Sequence, residues 1–347
     1  MSPSSRLWLR LHPYRLALRN PWPAAHAMPG ERRGWLLELE QGEDCGWGDC
    51  APLPAAGTED PAAAGQALDA LPRESDAATL TRWADRLLTA QPAVACALHT
   101  ALLDLQCRQQ RLPMRKRLHV EASDQVPVNG VAGALSEAAL QQVLDAGYRQ
   151  IKCKLGLVPW QQEARLLERL CSSLPGDVLL RLDANRAWSA DEARQFLHAI
   201  EGLPIESLEE PLRDPHPERL AELQAGTRIE LALDESLRLP EGPRLLSAAP
   251  VRRLVLKPMA HGGPVKTLAL ARQAQTRGLR VVISSTLESS IGLHAAAQLA
   301  AALGPTDPDL AHGLATADWL ATDLAPPPRL QDGRLWLDPR PGLGVTP

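Results

Sequence analysis

Three carboxylates, Asp183, Glu209 and Asp234, follow one another at intervals of 26 and 25 residues, each closing a short apolar run at 179–183, 205–209 and 229–234. If those runs are neighbouring parallel strands, the three side chains converge on one point. Three carboxylates with room left for water and a substrate oxygen suit a hard cation. Mg²⁺ is the first expectation and Mn²⁺ fits the same set, because Mg²⁺ keeps part of its hydration and is seldom caged by protein alone. Taken singly, each acid would more often be a helix cap or an ion-pair partner. The repeated register is what sets them apart.

Lysines flank this set. Lys152 and Lys154, in Ile151-Lys152-Cys153-Lys154, share one face of a strand, and Lys257, in Leu256-Lys257-Pro258, arrives from the far side. Ammonium groups close to one another and to a divalent cation are expected to depress each other's pKa and free an amine base. One lysine then removes a proton from a substrate held between the two sides, and the opposed one meets the negative charge that develops. A lone Lys-x-Lys is as often a solvated strand edge, but this one lies in an apolar run just ahead of the carboxylates. A third feature is the turn 284–290. Its Ser285 and Glu288 fit a capping box, and its backbone N–H groups would suit a ligand carboxylate.

The elements that must carry these residues are legible in outline. From residue 126 onward, short apolar strand candidates recur at 126–129, 150–154, 179–183, 205–209, 229–234, 253–257, 280–284 and 309–313, separated by helical stretches. Eight such units at intervals of about 25 residues match an eight-stranded βα barrel, whose C-terminal strand ends form the floor of the site. Ahead of them, strand-like segments at 7–11 and 35–39, a turn at Gly46-Trp47-Gly48, and helical patterns at 63–71 and 94–107 read as a small α+β unit. The Pro-rich stretch 20–33 reads as a mobile surface loop that closes over the substrate. The tail, with Pro326-Pro327-Pro328 and a strand-like 334–337, is expected to return to the first unit.

Several motifs occur together: Arg181-Leu182-Asp183-Ala184-Asn185-Arg186-Ala187-Trp188, Leu208-Glu209-Glu210-Pro211, Leu233-Asp234-Glu235-Ser236, the two lysine motifs, and Gly46-Trp47-Gly48-Asp49-Cys50-Ala51-Pro52-Leu53-Pro54. Through nearly the whole chain this arrangement resembles the enolase superfamily, and most closely its muconate-lactonizing subgroup. Within the subgroup the 181–188 motif and the 283–293 segment are most similar to the o-succinylbenzoate synthase family.

The resemblance implies an α/β fold: a modified TIM (β/α)7β-type barrel at 123–320, with an α+β capping domain formed by 1–122 and the C-terminal tail 321–347. It implies Asp183, Glu209 and Asp234 as ligands of Mg²⁺, Lys154 as base and then acid, Lys152 in support, and Lys257 stabilising the intermediate. Arg181, Asn185, Ser284, Ser285 and Glu288 are expected on the substrate. The implied reaction is syn dehydration of 2-succinyl-6-hydroxy-2,4-cyclohexadiene-1-carboxylate to o-succinylbenzoate, through a metal-stabilised enediolate, in menaquinone biosynthesis. The alternatives within the superfamily are an N-succinylamino acid racemase, a dipeptide epimerase or a muconate-type cycloisomerase. The segment His312-Gly313-Leu314-Ala315-Thr316-Ala317-Asp318 lacks the Asp-x-Asp by which such epimerases hold a substrate amine.

Composition narrows the class. The 347 residues are 45% hydrophobic and 22% charged, enough to bury a large core, and 347 is the length of a barrel plus a smaller unit. A net charge of −4 and no basic run leave no field for nucleic acid. Six cysteines without a Cys-x-x-Cys pair suggest neither a zinc site nor a disulfide framework, and no run of about 18 apolar residues suggests a membrane span. A cytoplasmic enzyme acting on a small-molecule carboxylate is expected, with monomer and homo-oligomer both open.

Overall fold

The computed structural model describes residues 6–19, 30–304 and 309–347. Strands β1 (Leu7–Ala17), β2 (Glu31–Gln41), β3 (Asp44–Cys50) and the short β4 (Glu74–Ser75) form an antiparallel sheet in the order β3-β2-β1-β4. Period-two alternation sets its faces: Leu7 and Leu9 are buried while Trp8 is half exposed. The helix Pro92–Gln109 lies across β3. Its start is capped from afar, since the Glu59 carboxylate accepts from Ala93 N and Val94 N, both at 3.0 Å.

The Gly46-Trp47-Gly48 segment is part of β3 and not a turn. Its glycines answer to packing: a Cβ on Gly46 would stand 2.3 Å from Ala101 O, and one on Gly48 2.0 Å from Ala97 O. The helix backbone can approach only because both side chains are missing. Of the segment read as a lid, 20–29 lies outside the described residues, and Glu31-Arg32-Arg33 are paired strand in β2.

The second unit is a parallel sheet of β6 (Gly130–Ala134), β7 (Gln150–Lys154), β8 (Leu179–Asp183), β9 (Ile205–Glu209), β10 (Glu230–Leu233), β11 (Arg253–Leu256) and β12 (Arg280–Ile283), paired in sequence order. The segment 311–313 closes it. His312 N donates to Pro127 O at 2.8 Å and Asn129 N to His312 O at 3.0 Å; on the other edge Gly313 N donates to Ile283 O at 2.8 Å and Ser285 N to Gly313 O at 2.9 Å. The expected eighth strand is therefore reduced to single bridges that still complete the ring.

The run expected as the first barrel strand divides. β5 (Gln125–Pro127) joins β13 (Arg329–Gln331) and β14 (Arg334–Trp336) in a separate three-stranded sheet, and β6 takes the barrel position. Past β14 the tail meets the first unit, with Leu343 N donating to Asp104 Oδ1 at 2.7 Å and Arg108 Nη2 to Val345 O at 2.7 Å. Among the described residues no helix is long and apolar enough to cross a membrane.

Beneath the strand ends lies a chain of alternating charges. Arg181 Nε donates to Glu206 Oε2 at 2.6 Å, and Arg253 Nη2 donates to Glu206 Oε1 at 2.8 Å and to Glu230 Oε2 at 2.6 Å. Burial works to raise Glu206, but Arg181 and Arg253 outweigh it and hold the carboxyl at about 2. A folded pKa below the unfolded one contributes stability above about 4.5 that is lost as pH falls toward 2. Arg253→Met, which leaves Glu206 to Arg181 and Glu230 to the partly exposed Arg280 at 3.2 Å, is expected to cost about 2–3 kcal/mol in urea unfolding at neutral pH. Acid should narrow that difference. A loss under 1 kcal/mol at neutral pH would count against this account.

Candidate active site

The C-terminal ends of the strands open on a cavity of about 380 Å³. Lys152 and Lys154 enter it from β7, Asn185 from the turn after β8, Asp234 from the end of β10, Lys257 from the end of β11, and Ser284 and Ser285 from the end of β12. In a ring of eight positions, β7 and β11 stand four apart, so Lys154 and Lys257 come from opposite sides.

The carboxylates and lysines form one buried cluster. Lys154 Nζ donates to Asp183 Oδ2 at 2.6 Å and to Asn185 Oδ1 at 2.8 Å. Lys152 Nζ lies 2.8 Å from Asp183 Oδ2 and donates to both Glu209 oxygens, at 2.8 and 2.7 Å. Lys257 Nζ donates to Asp234 Oδ2. Exposure is 0% for Asp183 and 6% for Glu209 and for Asp234, so these pairs are desolvated and strong.

Set by the protein's own charges alone, the electrostatics of Lys152 and Lys257 run opposite to the depression expected beside a divalent cation. Burial acts to lower Lys152, yet the charges of Asp183, Glu209 and Asp234 outweigh it and hold the ammonium up. Lys257 is likewise lowered by burial and raised, on balance, by Asp234 and Glu235. Asp183 is raised by burial but held well below the usual carboxylate range by Lys152 and Lys154. Burial and the Asp183 charge push Glu209 and Glu235 up. Lys152 and Lys257 are therefore held as ammonium partners of the acids in this arrangement.

Among the described residues no three His, Cys, Asp or Glu groups are arranged to clasp a metal ion, because Lys152 spans Asp183 and Glu209 while Lys257 holds Asp234. In kind, the donors fit a hard divalent cation. They are oxygen ligands on three adjacent strands, and these three buried acids, with the partly buried Glu235 beside them, face three lysines.

The backbone is strained at the same rim. Asn185, Arg186, Glu210 and Leu287 all have positive φ, between 44° and 64°, and they are four of the seven such non-glycine residues described. Glu210 shows why one is tolerated. Its buried carboxylate accepts from Asp234 N at 2.6 Å, from Ser236 N at 2.9 Å and from Ser236 Oγ, which fixes the loop that presents Asp234.

Two expected substrate contacts lie elsewhere. Arg181 is one layer below, two residues before Asp183 on β8; its guanidinium is taken up by Glu206, by Asn129 Oδ1 at 3.2 Å and by Ala311 O at 2.5 Å, and it does not line the cavity. Glu288 turns into its own loop, where Ser285 Oγ at 2.9 Å and the Thr286 hydroxyl at 2.8 Å donate to it. No capping box forms there. The helix starts later, at Ser290, and Asp49 of β3 accepts from Ser289 N at 2.9 Å and Ser289 Oγ at 2.7 Å.

The residues 53–57, which line the cavity from the first unit, and Glu235, Arg238 and Thr316 carry no strand-end signal in the sequence. Leu53 and Pro54 lie within the motif that resembles the capping-domain signature; the others have no such pointer.

With this geometry, residues 134–347 match the enolase C-terminal domain-like family and residues 9–105 match the MenC N-terminal domain. An o-succinylbenzoate synthase of Yersinia enterocolitica is 34% identical over 290 residues, 81% of this chain and 82% of that one. One from Yersinia pestis is 32% identical over 306 residues, 87% and 88% of the two chains. Among solved structures, the muconate lactonizing enzyme from Pseudomonas fluorescens complexed with muconolactone superposes with a TM-score of 0.88 at 24% identity, over 99% of this chain and 97% of that one. A dipeptide epimerase from Methylococcus capsulatus complexed with Mg and the dipeptide L-Arg-D-Lys gives a TM-score of 0.86 at 28% identity over 99% of both chains.

Proposed function

The chain belongs to the o-succinylbenzoate synthase family within the enolase superfamily, and on that premise we propose that Lys154 carries the proton in dehydration of 2-succinyl-6-hydroxy-2,4-cyclohexadiene-1-carboxylate. The observation that carries the assignment of roles is the placement of Lys154 and Lys257 across one cavity, on strands at opposite sides of the ring.

The Lys154 amine takes the proton from the ring carbon that bears the carboxylate. The electron pair left behind spreads into that carboxylate and the diene, and Lys257 stands across the ring as the cation that favours this anion. Lys154, now an ammonium on the same face, returns the proton to the hydroxyl as the C–O bond breaks. Water leaves and the ring becomes aromatic. Asn185, which accepts from Lys154 Nζ at 2.8 Å, fixes where the amine points. Lys152 neutralises Asp183 and Glu209 and keeps the floor of the site assembled.

Asp183, Glu209 and Asp234 are the residues that would hold a divalent cation, Mg²⁺ or Mn²⁺. When bound, it supplies Lewis-acid charge beside the substrate carboxylate.

Protein stripped with EDTA is expected to lose turnover of the cyclohexadiene substrate and to regain it with Mg²⁺. Calorimetry should register Mg²⁺ binding to the wild type that is weakened at least about tenfold in Asp183→Asn. Full activity in the stripped protein, or equal affinity in the variant, would remove these carboxylates from the ligand role. Turnover of that substrate, set beside N-succinylamino acids and dipeptides, tests the assignment by kcat/KM.

A further inference from the structure

Two arginines outside the reacting cluster bind backbone carbonyls instead of carboxylates, and both bind the same stretch of chain. Arg32, on β2 and only 3% exposed, donates through Nη2 to Ala51 O at 2.9 Å and through Nη1 to Pro52 O at 3.1 Å. Its Nε donates to Leu287 O at 3.1 Å, on the barrel side of the cavity. Arg238, four residues past Asp234, donates through Nε to Gly57 O at 3.3 Å and through Nη2 to Thr89 O at 3.2 Å. Between these two attachments run Leu53, Pro54, Ala55 and Ala56, which form an apolar wall of the cavity.

The arrangement is costly for anything but positioning. A guanidinium buried against carbonyls alone gives up hydration without the return of an ion pair. Burial does lower the Arg32 pKa, with Tyr14, Glu288 and Asp49 only partly offsetting it. Leu287, whose carbonyl Arg32 holds, sits at φ 60° on the cavity rim, a conformation a leucine keeps only under outside constraint. Gly57 has φ 85°, and a Cβ there would stand 2.7 Å from Arg238 Cγ, so the second attachment is as close as a side chain allows.

We infer that Arg32 and Arg238 are positioning residues that pin the 51–57 wall to the barrel rim at its two ends and so fix the fit of the cavity to the non-reacting part of the substrate. The substrate named in the test rests on the dehydratase reading; the pinning does not. Contacts to a non-reacting group are alike in the ground and transition states, so their loss raises KM and leaves kcat.

The experiment uses full-length Arg32→Met, Arg32→Lys and Arg238→Met with Mg²⁺. For both Met variants KM for the cyclohexadiene substrate is expected to rise about tenfold or more with kcat within about threefold. Arg32→Lys, which keeps the charge and part of the bonding, should recover some of the loss. Hydrogen exchange supplies a second readout. The amides of Ala56, Gly57 and Thr58, now bonded within the loop to Leu53 O and Pro54 O, should exchange at least about tenfold faster.

Wild-type exchange at those amides, or a fall in kcat at unchanged KM, overturns the inference. If Arg32→Met does not fold, Arg238→Met, at a partly exposed position, decides the matter by the same two readouts. If the wild type does not turn over this substrate, it is the dehydratase reading that fails, and the exchange rates still judge the pinning.

Discussion

Lys154→Ala is expected to lower kcat for dehydration by about four orders of magnitude while leaving the thermal unfolding transition where it is. A positioned acid or base is worth about 10²–10⁴ in rate, and this lysine is asked to serve in both capacities within one turnover. Stability should hold because its partner is not orphaned. Asp183 keeps Lys152 at 2.8 Å and still accepts from Asn185 N at 3.0 Å. Lys154→Arg should be as inactive as the alanine variant, since a guanidinium does not give up its proton in a protein. The measurement is single-turnover kinetics beside a circular-dichroism melt. Turnover within tenfold of wild type in Lys154→Ala would dispose of the proposed base.

The parts of this site that were legible in the sequence are those where side chain and strand position coincide. β7, β8 and β9 run over 150–154, 179–183 and 205–209 as expected, because each is a short apolar run closed by a charged residue that points into the ring. Legibility failed where backbone did the work. The barrel closes at 311–313 through four main-chain hydrogen bonds, which leave no periodic pattern. β6 reads Gly130-Val131-Ala132-Gly133-Ala134, a sequence without strand propensity that is held by pairing to β7.

Arg32 was hidden for a related reason: its partners are carbonyls of residues 51, 52 and 287, and no residue type announces a carbonyl. Arg181 shows the opposite error. Alternation put it on the same face as Asp183, but depth along the strand, which alternation cannot give, places it among Glu206, Asn129 and Ala311 below the floor. For Lys152, repulsion between neighbouring ammoniums was weighed in the sequence without the three carboxylates within reach, and among the protein's own charges these outweigh it.

Lys257 provides the result that separates dehydration from proton exchange at a single carbon. As a charge stabiliser it need only be a cation, so Lys257→Arg is expected to keep activity within about tenfold to thirtyfold, whereas Lys257→Ala loses about 10²–10³, the usual effect of removing one preorganised electrostatic partner. Part of the alanine loss comes from Asp234, whose buried carboxylate is left without its ammonium. A racemase or epimerase makes the reverse demand. There each lysine is a base for one face, so arginine at 257 is as damaging as alanine, and the variant still washes solvent deuterium into one enantiomer through Lys154. Running both variants in D₂O, on the cyclohexadiene and on an N-succinylamino acid, therefore gives two distinct patterns. Rescue by arginine with no one-sided exchange supports the dehydratase; equal loss in both variants together with exchange confined to one enantiomer would assign the opposed lysines to racemisation.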